Sequence, residues 1–143
     1  MTKYLVPKIC IVTSNTHPDI TEVMELKTIN LLKRNKKSKI YTRKVRGSFE
    51  IPYVISTLIN KKKYEGFIAI GCIIKGQTPN FEFISNAITN GIMNLSITYK
   101  KPIGNAVITC LNKKQANERL HKGSEAAKAV CDTLWRGVFN EKW

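Results

Sequence analysis

The sequence lacks any apolar run long enough to span a membrane. No stretch of its 143 residues approaches the roughly 20 consecutive apolar residues of a membrane helix. The apolar stretch within residues 1–8 is too short for a secretory signal peptide. We therefore expect a cytoplasmic protein that makes no membrane contact. A chain of this length has the usual size of one domain, here residues 1–143.

The signatures of bound metals and cofactors are also missing. The sequence contains no GxGxxG loop, no Walker phosphate loop, no cluster of metal-ligand residues and no Ser/His/Asp set. None of the four cysteines forms a CxxC pair, and they fall in strand-like or helical segments, which indicates reduced, buried thiols. We therefore expect no metal and no cofactor.

Acidic residues are scarce relative to basic ones. The chain has 10 Asp and Glu against 24 Lys and Arg, a formal net charge of +14, and the basic residues crowd positions 33–46 and 61–63. Such a field attracts phosphorylated metabolites, nucleic acid or an acidic partner. Because no aromatic residues are spaced among these lysines as a base-stacking platform, a solvated lysine surface is the favoured interpretation. Nucleic-acid binding is not the expected function.

Short apolar runs alternate with helical patterns along the chain. Strand-like runs occur at residues 8–13, 39–46, 66–74 and 103–109, and amphipathic stripes with helix-start signals follow each of them. This β-α-β-α-β-α-β-α order predicts an α/β fold with right-handed crossovers. We expect a three-layer α/β/α sandwich around a four-stranded parallel sheet, of flavodoxin-like type.

Several local features are predicted from single residues. Thr16 is suited to cap the first helix, and Asn112 with Gln115 resembles a capping box. Gly91 is small enough to let the third helix lie close to the sheet. Gly123 is expected to interrupt the last helix.

The candidate binding groups follow the strands, because open sheets of this kind bind ligands outside the carboxyl ends of their strands. Thr78, with the free N–H groups of the helix that follows it, favours an anion. Glu50 can accept hydrogen bonds from ligand hydroxyls or amines, or complement the dipole of its own helix. Arg119 can clamp a phosphate or pair with a nearby carboxylate. His17 can titrate near neutrality or serve as a first-turn residue.

Longer motifs occur in one order and resemble the lumazine synthase family. Residues 45–52, VRGSFEIP, resemble the family's VPGxFEIP turn, and residues 71–83, GCIIKGQTPNFEF, resemble its GxVIRGxTxHFDY segment. Residues 102–109 are similar to its fourth strand and residues 115–127 to its last helices. The resemblance spans about residues 8–134, nearly the whole chain.

The resemblance implies a reaction and a set of residues. Enzymes of this family condense 5-amino-6-(D-ribitylamino)uracil with 3,4-dihydroxy-2-butanone 4-phosphate to 6,7-dimethyl-8-ribityllumazine, without a cofactor. It implies that the pyrimidine and ribityl chain would contact Ser48, Phe49, Glu50, Cys72, Ile73 and Ile74. It implies that the phosphate would be held by Gln77, Thr78 and Arg119. Residues like Asn105 and Arg119 would enter the site from a neighbouring subunit, which implies a homo-oligomer, a pentamer or larger.

The chain departs from the family pattern at positions that matter for chemistry. The proton-transfer histidine of the family falls on Asn80, and an amide cannot exchange a proton near pH 7. The aromatic residue that stacks on the pyrimidine falls on Thr16, beside His17. The loop between Arg119 and Lys122, the second catalytic position, is shorter than usual. A slow lumazine synthase is therefore the favoured prediction. The alternatives are a catalytically impaired binding or shell protein, and a polyanion binder that uses residues 33–46.

Overall fold

The structure, a computed structural model, describes residues 6–35 and 38–139, with side chains described as far as residue 134. The strands are β1 (Lys8–Ser14), β2 (Lys39–Val45), β3 (Gly66–Ile74) and β4 (Ile103–Cys110). The helices are α1 (Pro18–Asn35), α2 (Ile51–Ile59), α3 (Asn80–Tyr99), α4 (Lys113–Asn117) and α5 (Lys122–Phe139), and a 3₁₀ turn covers Ser48–Glu50.

The four strands form one parallel sheet in the order β2-β1-β3-β4. Ile11 pairs with Thr42 on one side and Ile68 on the other, and Ile70 pairs with Ala106. The chain therefore reverses its direction of growth across the sheet after β2, which is the flavodoxin-like topology. The predicted fold class is confirmed.

Helices cover both faces of the sheet. On one face, α1 and α5 bury residues such as Met24 and Val130 against the strands, and on the other face α2 and α3 bury Ile55 and Ile88. β3 is buried at its first seven positions, as expected of a central strand covered on both sides. The alternation of side chains along each strand thus feeds two separate apolar layers.

The start of α1 differs from the sequence expectation. The Thr16 hydroxyl donates to the Arg46 carbonyl, 3.1 Å away, in the turn after β2. The carbonyl of His17 instead receives the first helical N–H groups, from Ile20 at 2.9 Å and Thr21 at 3.0 Å. His17 has a left-handed backbone with φ 56°, a conformation uncommon outside glycine. Thr16 therefore links two loops rather than capping the helix.

Two glycine predictions also need correction. A β-carbon on Gly91 would contact Pro52 of α2 at 3.3 Å, so this glycine lets two helices approach each other rather than bringing α3 to the sheet. The last helix breaks between Asn117 and Lys122, ahead of Gly123. Gly123 lies in the first turn of α5 against Thr28 of α1, where a β-carbon would collide. Its role is close helix packing.

The capping box at α4 is confirmed in part. Asn112 Oδ1 accepts the N–H of Gln115 at 2.9 Å, as predicted. The return bond runs from the N–H of Leu111 to Gln115 Oε1 at 2.8 Å, one residue earlier than in a standard box. Within the described residues, no helix is both long and apolar enough to cross a bilayer.

Candidate active site

The loops after β1 and β2 are tied together at the carboxyl edge of the sheet. The N–H of Asn15 donates to the Val45 carbonyl at 2.8 Å, next to the bond from Thr16 to Arg46. The N–H of Thr16 in turn donates to Ser14 Oγ at 3.1 Å. These bonds fix the loop that carries Thr16 and His17 beside the turn that carries the next candidate residues.

The turn from Gly47 to Glu50 is closed by its own carboxylate. Glu50 Oε1 accepts the N–H of Gly47 at 2.9 Å, and the N–H of Glu50 donates to the Gly47 carbonyl at 3.1 Å. The carboxylate is exposed, and within the described residues its second oxygen has no hydrogen-bond partner. The Phe49 ring is 60% exposed. The turn thus presents a carboxylate oxygen and an aromatic ring to solvent.

Ser48 is the buried member of this turn. Ser48 is 6% exposed, and its Oγ has no hydrogen-bond partner within the described part of the chain. Oγ lies against Gly71 near the end of β3, where a β-carbon on residue 71 would collide with it. The turn after β2 is therefore seated directly on β3, and an unpaired hydroxyl lies at that contact.

The last residues of β3 point to different layers. Cys72 is 1% exposed and packs between the sheet and the α1–α5 layer. Burial raises the pKa of its thiol to about 11, so the thiol is protonated at neutral pH. Ile73 is half-buried against the α2–α3 layer, and Ile74 is half-buried beside the α1–α5 layer. A ligand at this edge would meet the Cys72 backbone rather than its sulfur.

The loop between β3 and α3 forms a concave surface. Its start is held by a bond from the N–H of Lys75 to the Cys110 carbonyl at 2.8 Å. Gln77 and Thr78 are exposed and line a hollow of about 280 Å³ together with Lys75, Pro79, Phe81 and Glu82. Asn80 is exposed at the first position of α3. The two residues predicted to hold phosphate therefore share one hollow at a helix start.

The corner between α4 and α5 carries the two remaining cationic candidates. Arg119 is half-buried, and its guanidinium donates to the Gln115 carbonyl at 3.0 Å. Lys122 Nζ lies 3.5 Å from Glu125, and the N–H of Lys122 donates to the Arg119 carbonyl at 3.1 Å. Within the described residues Arg119 has no carboxylate partner, so the ion pair considered as its alternative role is not formed.

Asn105 lies apart from the other candidates within one chain. It is exposed in the middle of β4, where it pairs with Ala69, and its Oδ1 accepts the N–H of Val107 at 3.0 Å. β4 alternates buried and less buried positions, and Ile103, Asn105 and Val107 lie on the less covered side. A single chain therefore does not bring Asn105 to the carboxyl edge.

Two charged contacts at this edge were not predicted from the sequence. Lys113 Nζ lies 2.6 Å from the Asp19 carboxylate, and this hydrogen bond lowers the pKa of Asp19. Glu25 accepts the Thr13 hydroxyl at 2.7 Å and lies 3.3 Å from Lys44 Nζ. Each contact joins segments that are far apart in the sequence, and no motif marks them. Both fasten the first half of α1 to the neighbouring elements.

The chemistry of the candidate groups suits a polar, anionic molecule. The loops after β1, β2 and β3 offer hydroxyl, amide and carboxylate groups at this edge, and the α4–α5 corner separately carries two cations. Within the residues that the structure describes, no group of three or more His, Cys, Asp or Glu side chains is placed to hold a metal ion. These features describe an open α/β protein whose candidate ligand site lies at the carboxyl ends of its parallel strands.

Comparison with known proteins identifies the family. A sequence model of the 6,7-dimethyl-8-ribityllumazine synthases matches residues 7–136. The chain is 32% identical over 134 residues to 6,7-dimethyl-8-ribityllumazine synthase of Helicobacter pylori (strain Shi470), covering 89% of this chain and 86% of that protein. It is 31% identical over 132 residues to the Bdellovibrio bacteriovorus enzyme, covering 89% and 73%. It is 42% identical over 95 residues to the Buchnera aphidicola subsp. Baizongia pistaciae enzyme, covering 63% and 60%. The chain belongs to the 6,7-dimethyl-8-ribityllumazine synthase family.

Proposed function

We propose that this protein is a working lumazine synthase of riboflavin biosynthesis. It condenses 5-amino-6-(D-ribitylamino)uracil with 3,4-dihydroxy-2-butanone 4-phosphate: the amine forms an imine with the ketone, phosphate leaves and the ring closes. The observation that carries the proposal is the family match over residues 7–136. The gathering of the turn after β2 and the loop after β3 at one edge of the sheet supports it.

The pyrimidine and its ribityl chain are assigned to the turn after β2 and the end of β3. Glu50 has one carboxylate oxygen bound to Gly47 and a second one for ribityl hydroxyls. The unpaired Ser48 hydroxyl gains a partner when a ligand arrives, and the exposed Phe49 ring packs against the ligand. Ile73 and Ile74 supply apolar contacts, and Cys72 contributes its backbone.

The phosphate is assigned to the hollow at the start of α3. Gln77 and Thr78 line it, and free N–H groups at the helix start favour an anion there. Arg119 is the matching cation, because its guanidinium is bound by a backbone carbonyl and no carboxylate among the described residues neutralises it. A planar guanidinium binds phosphate through two parallel hydrogen bonds. In the assembly this arginine would come from a neighbouring subunit.

Catalysis is proposed to be slow, because Asn80 occupies the position of the family's proton-transfer histidine. Lys122 is the second proposed catalytic residue. Losing a general acid–base group typically costs about 10²–10⁴-fold in rate. Holding two reactive substrates together can still lower the barrier by about 7–11 kcal/mol, and a phosphate with a pKa near 6 can itself move protons. Thr16 and His17 complete the substrate side of the site, with Thr16 already bound to Arg46.

The proposed assembly is a homo-oligomer, a pentamer or larger. The 20-residue helix α3 buries only Ile88 and Ile92 within the chain. Phe83, Met93 and Ile97 on the same helix are each more than half exposed. Burying such a face against another subunit is favourable by about 25 cal/mol for each Å² of apolar surface. A neighbour would also bring Asn105 or Arg119 to a site that one chain leaves open.

The alternative is a family member that binds a lumazine without making it. Asn80 carries no titratable proton, which is the observation that favours this alternative. An absorbance assay with both substrates separates the two: product above the uncatalysed background supports the enzyme. Product formation at the background rate, with tight binding of 6,7-dimethyl-8-ribityllumazine, contradicts it and supports the alternative. Sedimentation velocity tests the assembly, because a monomer would contradict the shared site.

A further inference from the structure

The helix-to-strand connections of this fold are basic. In a parallel sheet these connections all lie at the amino ends of the strands, opposite the candidate active site. Three basic runs that are distant in sequence therefore meet at one end, together with the first residue of β1. The amino-end face, as we call it, consists of Lys8, Lys33, Arg34, Lys39, Lys61, Lys62, Lys63, Lys100 and Lys101.

Acidic side chains are concentrated away from the amino-end face. Two of the described ones, Glu65 and Asp132, lie toward that end, and Glu65 Oε1 is already bound to the N–H of Lys8 at 2.6 Å. The first half of α1 and the segments at the carboxyl edge hold Asp19, Glu22, Glu25, Glu50, Glu82, Glu118 and Glu125. Positive charge is therefore concentrated at the amino ends of the strands and most of the negative charge at the carboxyl ends. The amino-end face has a strong positive electrostatic potential.

Some of these cations are held in place rather than free in solvent. Lys101 Nζ donates to the Lys61 carbonyl at 2.7 Å, which joins the connection before β4 to the connection before β3. Lys63 Nζ lies 5.4 Å from the centre of the Tyr64 ring and 5.6 Å from that of Tyr41. Fixed lysines lose less side-chain entropy when they bind an anion.

The same end also has a concave surface and an exposed aromatic ring. A cleft of about 380 Å³ lies between α3, β4 and α5, with Lys100 and Lys101 in its wall and Ser96 and Thr133 beside them. Tyr99, next to Lys100, is 41% exposed. A phosphate chain can enter a cleft walled by lysines, and a base can stack on an exposed ring.

We propose that the amino-end face binds a single nucleic-acid strand through its phosphates, independently of the proposed enzyme activity. The cations are lysines except for Arg34, and lysine acts on phosphate as a point charge without reading base edges. The strand would therefore be bound without sequence preference. Among the described residues, the two most exposed large apolar side chains, Tyr53 and Phe83, lie near the starts of α2 and α3, away from this end. A membrane surface, which such side chains would enter, is therefore the weaker match.

The direct test is fluorescence anisotropy of the full chain with a labelled, mixed-sequence single-stranded RNA of about 20 nucleotides, a length that spans more than one site of about 4–16 nucleotides. If six lysines neutralise phosphates, the slope of about −0.7 per phosphate predicts that affinity falls roughly 300-fold between about 50 mM and about 200 mM salt. Two RNAs of different sequence should bind with affinities within a factor of about two, because phosphates carry no sequence information.

A matched pair of charge reversals locates the surface. The amino-end variant combines Lys39→Glu, Lys62→Glu and Lys100→Glu, and the control combines the exposed residues Lys27→Glu, Lys114→Glu and Lys128→Glu. Both change the net charge equally, so a general field effect weakens RNA binding equally in both. We expect the amino-end variant to bind at least about tenfold more weakly than the control, because it loses three contacts. The single variant Lys62→Glu serves if the triple variant does not fold, and it should still bind more weakly than Lys128→Glu.

Three results would overturn the proposal. The first is no RNA binding at the lower salt concentration. The second is equal weakening by the amino-end and control variants, which would mean that only net charge matters. The third is binding to vesicles that contain phosphatidylserine with none to RNA, which would assign the face to a membrane. Urea unfolding of each variant shows whether the fold is retained.

Discussion

Ser48 Oγ packs directly against Gly71, and a β-carbon on any other residue at position 71 would collide with it. This contact seats the turn after β2 on the end of β3, and it leaves the Ser48 hydroxyl buried without a partner in the described residues. A buried polar group without a hydrogen bond is costly. We interpret the hydroxyl as a group that forms its hydrogen bond with a ligand. Removing it should therefore maintain or increase stability and weaken substrate binding.

Ser48→Ala should leave the free energy of unfolding unchanged or raise it by about 1 kcal/mol, because it removes an unpaired hydroxyl. The KM for the pyrimidine substrate should rise severalfold. The control is Ser96→Ala, whose hydroxyl donates to the Lys101 carbonyl at 2.8 Å and whose loss should cost about 1 kcal/mol. Urea unfolding and steady-state kinetics measure both effects. A Ser48→Ala protein that is clearly less stable than the wild type would mean that the hydroxyl has a partner after all.

Gly71→Ala should destabilise the protein by about 1–3 kcal/mol, the usual cost of overpacking, because the new methyl group meets Ser48. Gly76 is the matched control, since a β-carbon there would have no atom of the described residues within 4 Å and its φ is not positive. Gly76→Ala should be neutral or slightly stabilising. Urea midpoints of the two variants give the comparison, and equal midpoints would contradict the proposed seating of the turn.

Asn80→His should raise kcat by about tenfold or more, because it supplies a group that transfers protons near neutral pH. The variant should also gain a limb in its pH–rate profile near the ordinary histidine pKa of about 6.5. Asn80→Gln is the control, since it keeps an amide and should gain neither. A histidine variant no faster than the wild type would show that proton transfer at this position does not limit the rate.

Stability should fall at alkaline pH because of the buried thiols. Burial raises the pKa of Cys10 and of Cys72 from 9.0 to about 11. Between these values the unfolded chain releases the protons while the folded chain keeps them, so the free energy of unfolding decreases as pH rises. These two thiols should not change the urea midpoint below pH 9.0. They should lower it progressively as the pH rises toward about 11. The double variant Cys10→Ala, Cys72→Ala should show a smaller drop, and an equal drop would assign the effect to other groups.

The sequence predicts the sheet because each strand carries its own signal. The run from Gly66 to Ile74 is apolar enough to mark a central strand, and β2 is lysine-rich, as is common for an edge. What it could not predict depends on pairs that meet only in the fold. Asp19 and Lys113 are one example, and Pro52 and Gly91 are another. No local pattern marks either partner.

The candidate site also has a part that the sequence predicts and a part that it does not. The turn at Ser48–Glu50 and the loop at Gln77–Thr78 lie at the edge that strand order predicts. Asn105 does not reach this edge in its own chain, because it lies in the middle of β4, where it pairs with Ala69. For the amino-end face, the sequence showed the basic runs at 33–46 and 61–63, but it did not show that the connections of the sheet bring them to one end with Lys100 and Lys101.

The most direct test of lumazine synthase activity is the rate of 6,7-dimethyl-8-ribityllumazine formation by the wild type, Arg119→Ala and Lys114→Ala proteins with both substrates. We predict wild-type product above the uncatalysed background. We expect kcat/KM to fall by about 10–100-fold in Arg119→Ala, which corresponds to the loss of a charge-assisted hydrogen bond of about 1.5–3 kcal/mol. Lys114→Ala, which removes an exposed cation from the same corner, should retain the wild-type rate. Wild-type product at the background rate, or an Arg119→Ala protein as fast as the wild type, would contradict the account.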